Sequence, residues 1–120
     1  RRFDISDPSI FPIDYETGEI FADGLRNCVA LSFDKHDVLW GGEMNADLLY
    51  REDLGGFIFN DNPGEELNKL TEENAGKSYG YPYCWTEYDL PDTGLGRGTQ
   101  WIWPSFREQG YTDEYCRNLE

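Results

Sequence analysis

Positive charge is scarce in this chain: 10 Lys and Arg stand against 24 Asp and Glu, a formal net charge of -14. A surface of that sign repels nucleic-acid backbones and anionic membranes, so nucleic-acid partners and phosphate-binding functions are disfavoured. No apolar run approaches the ~20 residues of a membrane-spanning helix. Histidine occurs once, at position 36, and no Gly-x-Ser-x-Gly elbow exists, which removes a Ser-His-Asp hydrolase. Cysteine occurs three times, at 28, 84 and 116, without a Cys-x-x-Cys pair or a histidine at ligand spacing, so structural zinc is excluded. Cys84 and Cys116 either close a loop of roughly 33 residues, for which the chain-entropy model gives about 3–4 kcal/mol, or stay reduced.

What is abundant is aromatic and turn-forming. With 4 Trp, 8 Tyr, 7 Phe, 13 Gly and 6 Pro, the composition suits short strands and turns rather than long helices. Disorder is disfavoured as well, because aromatic side chains bury large areas and disordered segments are poor in them. Apolar alternation around Thr17-Gly18 predicts a hairpin over 11–22. A second is predicted over 29–42, with Val29, Leu31 and Phe33 on one face and a charged turn at Asp34–Asp37. Residues 43–68 read as a long acidic loop with Arg51 as its one base, touching the core at 48–50 and again at 57–59. The stretch 65–70 fits a strand or a short helical turn. Tyr79, Tyr81, Tyr83 and Trp85 recur at period two, which on a strand would place four rings on one face. Residues 86–120 read as loop-rich, and no helix longer than two turns is expected.

The expected class is therefore all-β, a sandwich, barrel or propeller. A propeller blade takes about 40–50 residues, so this length would make two to three blades. His36 falls in the exposed turn between two strands, without walls to orient a catalytic base. Arg26-Asn27 sets a planar fork of donors and an amide at a strand entry, suited either to carboxylates or quinone oxygens of a ligand or to a structural ion pair. Asn60–Glu66 gathers hard oxygen donors around a turn but breaks the EF-hand pattern, and reads either as a calcium loop or as a solvated acidic one. The tyrosine stripe reads as core, or as a face for stacking sugar rings.

Three segments in one order carry a resemblance: Gly24-Leu25-Arg26-Asn27 leading into residues 30–43, then residues 61–70 (DNPGEELNKL), then residues 78–85 (SYGYPYCW). Together they resemble the glucose/sorbosone dehydrogenase family, six-bladed β-propeller quinoproteins. Members read Gly-Leu-Arg-Asn, an Asp-rich loop closing in Glu-Leu-Asn, and Tyr-Gly-Trp-Pro with a following Cys. The match covers residues 24–85. It implies a pyrroloquinoline quinone (PQQ) enzyme oxidising an aldose or other sugar, with calcium holding the quinone. Arg26 and Asn27 would face the cofactor. Backbone carbonyls of the loop Glu43–Asp47, at Asn45 and Ala46, would approach the calcium and quinone, and Glu66 would fall on the family's acidic position before Leu-Asn, where carboxylates can serve a structural calcium. The family's catalytic histidine has no counterpart here, since His36 does not match its position. The resemblance makes residues 1–120 a fragment of one propeller domain that packs on further blades. Its expected location is extracellular or periplasmic, and its electron acceptor is unknown. The competing reading is a non-enzymatic secreted propeller, a binding module with carbohydrate as its ligand, which the altered turn at 43–47 favours.

Overall fold

One side chain builds the turn of the hairpin predicted over 29–42. In the computed structural model, which describes residues 1–90 and 92–119, Asp34 Oδ1 accepts from the backbone N–H of His36 (2.8 Å) and Val38 (3.1 Å). Its Oδ2 accepts from Trp40 Nε1 at 3.0 Å. These donors, the indole first, hold the Asp34 carboxyl below its ordinary range.

The strands are β1 (Cys28–Phe33), β2 (Leu39–Glu43), β3 (Tyr50–Arg51), β4 (Gly56–Phe57), β5 (Glu66–Leu70), β6 (Cys84–Thr86) and β7 (Gln100–Ile102), followed by α1 (Pro104–Arg107) and α2 (Asp113–Arg117). They form an antiparallel sheet ordered β1-β2-β5 and the pairs β3-β4 and β6-β7. The all-β expectation holds, both helices are short, and residues 66–70 are a strand. The loop-rich stretch 86–120 carries β7 and both helices; Pro91 and Glu120 within it lie outside the described residues.

Three expectations need correction. Residues 11–22 are not a hairpin. Asp7 and Asp14 instead accept from the N–H groups of Ser9 (2.8 Å) and Glu16 (3.0 Å), capping 3-10 turns at Pro8–Ile10 and Tyr15–Thr17. Short aspartates offer the backbone a local partner that competes with a strand ladder. The pairing formed there is an isolated bridge between Arg2 and Glu19.

The tyrosine stripe is not one strand face. Tyr83 and Cys84 donate their N–H groups to Gly80 O at 2.8 and 2.9 Å, so the chain turns and the strand begins only at Cys84. Trp85 is buried while Tyr81 is exposed. Nor is 43–68 a single loop: it holds the β3-β4 hairpin and the start of β5. Its first core contact is Leu49, and Ile58 alone carries the second, since Phe57 and Phe59 are exposed.

The core is split in two. Leu49, Trp85, Leu90 and Trp101 form one cluster; Cys84, Ile102 and Cys116 form the other, with Tyr83, Phe106, Tyr111 and Tyr115 packed around it. A Cys84–Cys116 disulfide ties β6 to α2, and Cys28 is a free thiol. Beside these clusters β1 is thinly covered, with Val29, Leu31 and Phe33 exposed by 60, 62 and 67%. The radius of gyration, 16.8 Å, exceeds the ~13–14 Å of a compact domain of this length.

Between the clusters runs Arg51, fully buried despite its charge. Its guanidinium donates to both Asp53 oxygens (2.8 and 2.6 Å) and to Ile102 O (3.1 Å), and lies 5.7 and 5.6 Å from the Trp85 and Trp101 ring centroids. The Arg51 hydrogen bonds are the main cause that lowers the Asp53 pKa. Because the folded value lies below the unfolded one, near 3.9, this contribution is fully present above the unfolded value and is lost as pH falls through the folded one. Denaturant midpoints measured from pH 6 downward should therefore fall more steeply in wild type than in Asp53→Asn; parallel curves would remove Asp53 from the acid response.

Candidate cofactor and metal site

The three motifs that carry the resemblance are brought to one end of the three-stranded sheet. Asp23 N–H donates to Lys77 O (3.1 Å), Tyr79 N–H to Asp23 O (2.9 Å) and Tyr81 N–H to Gly24 O (2.8 Å), stitching the Gly24–Asn27 segment to the 78–85 segment. Gly24 has φ +67°, and a Cβ there would press on Ser78 Oγ and lie 2.8 Å from Gly80 N, so close approach requires glycine. The 61–70 segment joins through β5, whose Glu66 pairs directly with Glu43 at the end of β2.

Arg26 reaches across this end. Its Nη1 donates to Asn45 O at 2.6 Å and its Nη2 to Asp47 Oδ2 at 2.7 Å, so the guanidinium clamps the 44–47 loop. Asn27 is held on its backbone: Met44 N–H donates to Asn27 O (3.0 Å), and Asn27 N–H donates to Glu43 Oε1. Its side chain stays exposed.

Asn45 is fixed from three sides. Its N–H donates to Glu65 Oε2 (2.8 Å), its Nδ2 to Gly64 O (3.3 Å) and Glu66 Oε1 (3.4 Å), and its Oδ1 accepts from Ala46 N–H (2.8 Å). The Asn45 backbone carbonyl and its side-chain Oδ1, each accepting one hydrogen bond, are the oxygens it can offer a metal. A carbonyl has two lone pairs, so the Arg26 contact leaves one free. Glu66 also accepts from Thr86 Oγ1 and from Asn68 Nδ2 (3.4 Å). Gln100 Nε2 in turn donates to Thr86 Oγ1 at 2.8 Å.

Between these groups lies a small cavity of about 10 Å³, lined among others by Arg26, Glu43, Asn45, Glu66, Tyr79 and Tyr81. Glu43 is only 5% exposed, and its Oε2 has no hydrogen-bond partner. In the sequence Glu43 stands at the loop's edge with no assigned role, because its partner across the sheet is a matter of strand register. Burial pushes the Tyr79 phenol above its ordinary pKa, and its hydroxyl donates to Lys69 O at 2.9 Å.

The structure thus brings Arg26, Asn45 and Glu66 together and places Asn27 and Ala46 beside them. His36 sits in the turn at the opposite end of β2. Asn62 does not face the site: it is buried, donating to Asp89 O (2.6 Å) and accepting from Tyr88 N–H (2.8 Å), a latch between segments. Among the described residues no three His, Cys, Asp or Glu side chains gather in metal-ligating geometry. Any hard cation here would need backbone carbonyls and water beside Glu43 and Glu66, a donor set that suits calcium.

The model of the TrAA12-like family matches residues 1–120. The chain belongs to that family. This TrAA12-like chain is 35% identical over 130 residues to a pyrroloquinoline quinone-dependent sugar dehydrogenase of Hypocrea jecorina, covering 97% of the chain and 29% of the relative. Its fold is similar to a Trichoderma reesei structure of carbohydrate-active enzymes family AA12, with TM-score 0.72 and 33% identity over 82% of the chain and 26% of that structure. It is also similar to the holo form of the pyranose dehydrogenase PQQ domain of Coprinopsis cinerea, with TM-score 0.69 and 25% identity over 83% and 26%. The TrAA12-like chain therefore spans less than a third of the relatives it matches. Among its described residues no helix is long and apolar enough to cross a membrane.

Proposed function

We propose that this chain is part of a PQQ-dependent sugar dehydrogenase and contributes one wall of its quinone and calcium site. The observation that carries the reading is the family match over residues 1–120 with 35% identity to a PQQ-dependent sugar dehydrogenase. It is supported by the convergence of Arg26, the Asn27 amide and the 44–47 carbonyls at one end of the sheet. Arg26 and Asn27 would hold the quinone's oxygens, and the carbonyls of Asn45 and Ala46 with the Glu66 carboxylate would serve calcium. When bound, the quinone supplies the two-electron acceptor for oxidation of the sugar. The chain's own part is to bind and orient that group. With His36 remote, the proton-abstracting base would come from another part of the protein, as would the exit to the electron acceptor.

In this reading the strands are two to three blades of a propeller. Neighbouring blades cover the exposed Val29, Leu31 and Phe33 of β1, and the complete protein is extracellular or periplasmic. Burying that apolar row on the next blade is the ordinary way such repeats complete their core.

Arg26→Ala should weaken PQQ binding by the complete protein by roughly ten- to hundredfold, the loss of a charge-assisted hydrogen bond worth about 1.5–3 kcal/mol. Sugar oxidation at saturating quinone should fall less, because Arg26 moves no proton. Equal affinities in wild type and variant would reduce Arg26 to the structural clamp seen with Asp47. Calcium should also raise the unfolding midpoint of the complete protein over that measured in chelator, by mass action on the folded state; identical midpoints would leave Asn45, Ala46 and Glu66 without a metal.

A further inference from the structure

Glu43 and Glu66 are direct cross-strand partners on β2 and β5, so their side chains leave the same face of the sheet. Like charges at directly opposed positions repel, and a buried carboxylate without a counter-charge is costly. Yet Glu43 is 5% exposed, makes no ion pair among the described residues, and has one oxygen without a partner. Glu66, by contrast, accepts hydrogen bonds from Thr86, Asn45 and Asn68. Arg26 lines the same cavity, but its two Nη atoms are taken by Asn45 O and Asp47 Oδ2 and neither contacts Glu43.

We infer that Glu43 is a direct ligand of a hard divalent cation held between it and Glu66, with Oε2 as the ligating atom. The inference rests on the calcium reading above and adds a residue to which that reading gives no role. Oε1 is spent on Asn27 N–H, which fixes the carboxylate and leaves Oε2 for the metal. The cavity, about 10 Å³, matches one water-sized sphere and so one small ion. An oxygen donor set of two carboxylates with backbone carbonyls selects calcium over softer metals. Through Glu43 the cation would also be coupled to Asn27, since one carboxylate would hold the metal and the backbone of a quinone-facing residue.

The test uses the complete protein, free of metal and quinone, with terbium as the calcium probe. Tyr79 and Tyr81 line the cavity and can sensitise terbium emission, which calcium should then displace. Glu43→Gln keeps the shape and an acceptor for Asn27 N–H while removing the charge, and should weaken terbium and calcium binding by about ten- to hundredfold. Glu43→Asp, which keeps the charge but withdraws it by a methylene, must also lose affinity and covers the case in which the amide does not fold. Wild-type affinity in either folded variant overturns the inference while leaving the calcium and quinone readings intact. Absence of terbium and calcium binding in wild type overturns both metal claims. A separate PQQ titration then decides whether the quinone reading survives.

Discussion

Arg51→Ala should destabilise the protein by about 3–5 kcal/mol, the range for emptying a large core site. Arg51 looks in sequence like the lone base of an acidic loop, but it is fully buried between the two core clusters. Removing it leaves Ile102 O without its 3.1 Å donor and opens a void beside Trp85 and Trp101. Arg51→Met separates these effects. It refills most of the volume, so it should recover the packing share and leave the cost of the lost hydrogen bonds, about 1–3 kcal/mol. Urea unfolding of the two variants beside wild type checks this. Equal losses in both would show that the charge pair matters more than the packing, and no loss in either would remove Arg51 from the core.

Reduction of Cys84–Cys116 should cost about 3–4 kcal/mol on the chain-entropy account of a loop of this length. The bond joins β6 to α2, which is also held by the aromatic cluster of Tyr83, Phe106, Tyr111 and Tyr115, by Asp113 accepting from Ile102 N–H at 2.9 Å and from Arg107 Nη2, and by Arg117 over the Trp101 ring. Reductant should lower the unfolding midpoint of wild type and leave that of Cys84→Ser/Cys116→Ser unchanged. A thiol reagent should meet Cys28 alone in the unfolded, unreduced chain and all three cysteines after reduction. A wild-type midpoint indifferent to reductant would contradict the assignment of stability to this bridge.

The 29–42 hairpin was legible because alternation and turn chemistry agreed: Asp34 is the residue type that closes such a turn, and it does so through both carboxylate oxygens. Over 11–22 the same alternation was present, but Asp7 and Asp14 had a closer backbone to bond, and local capping won. The tyrosine stripe failed at Gly80, where φ +106° turns the chain out of any strand. The helix at 113–117 went unread within the loop-rich stretch, although Thr112 Oγ1 accepts from Tyr115 N–H at 3.3 Å and two acids follow this cap. Arg26, Asn45 and Glu66 could be named from motif order, but their meeting depends on the stitch between residues 23–24 and 77–81. Glu43 and Arg51 were beyond reach, because burial of a charged side chain is set by strand register and by partners distant in sequence.

The central claim, that these residues form part of a PQQ and calcium site in a sugar dehydrogenase, is tested most directly by reconstitution. The complete protein, stripped of metal and quinone, should show sugar-dependent reduction of an artificial electron acceptor only after both PQQ and calcium are restored. Full activity without either, or saturable calcium binding with no PQQ binding and no sugar oxidation, would contradict it.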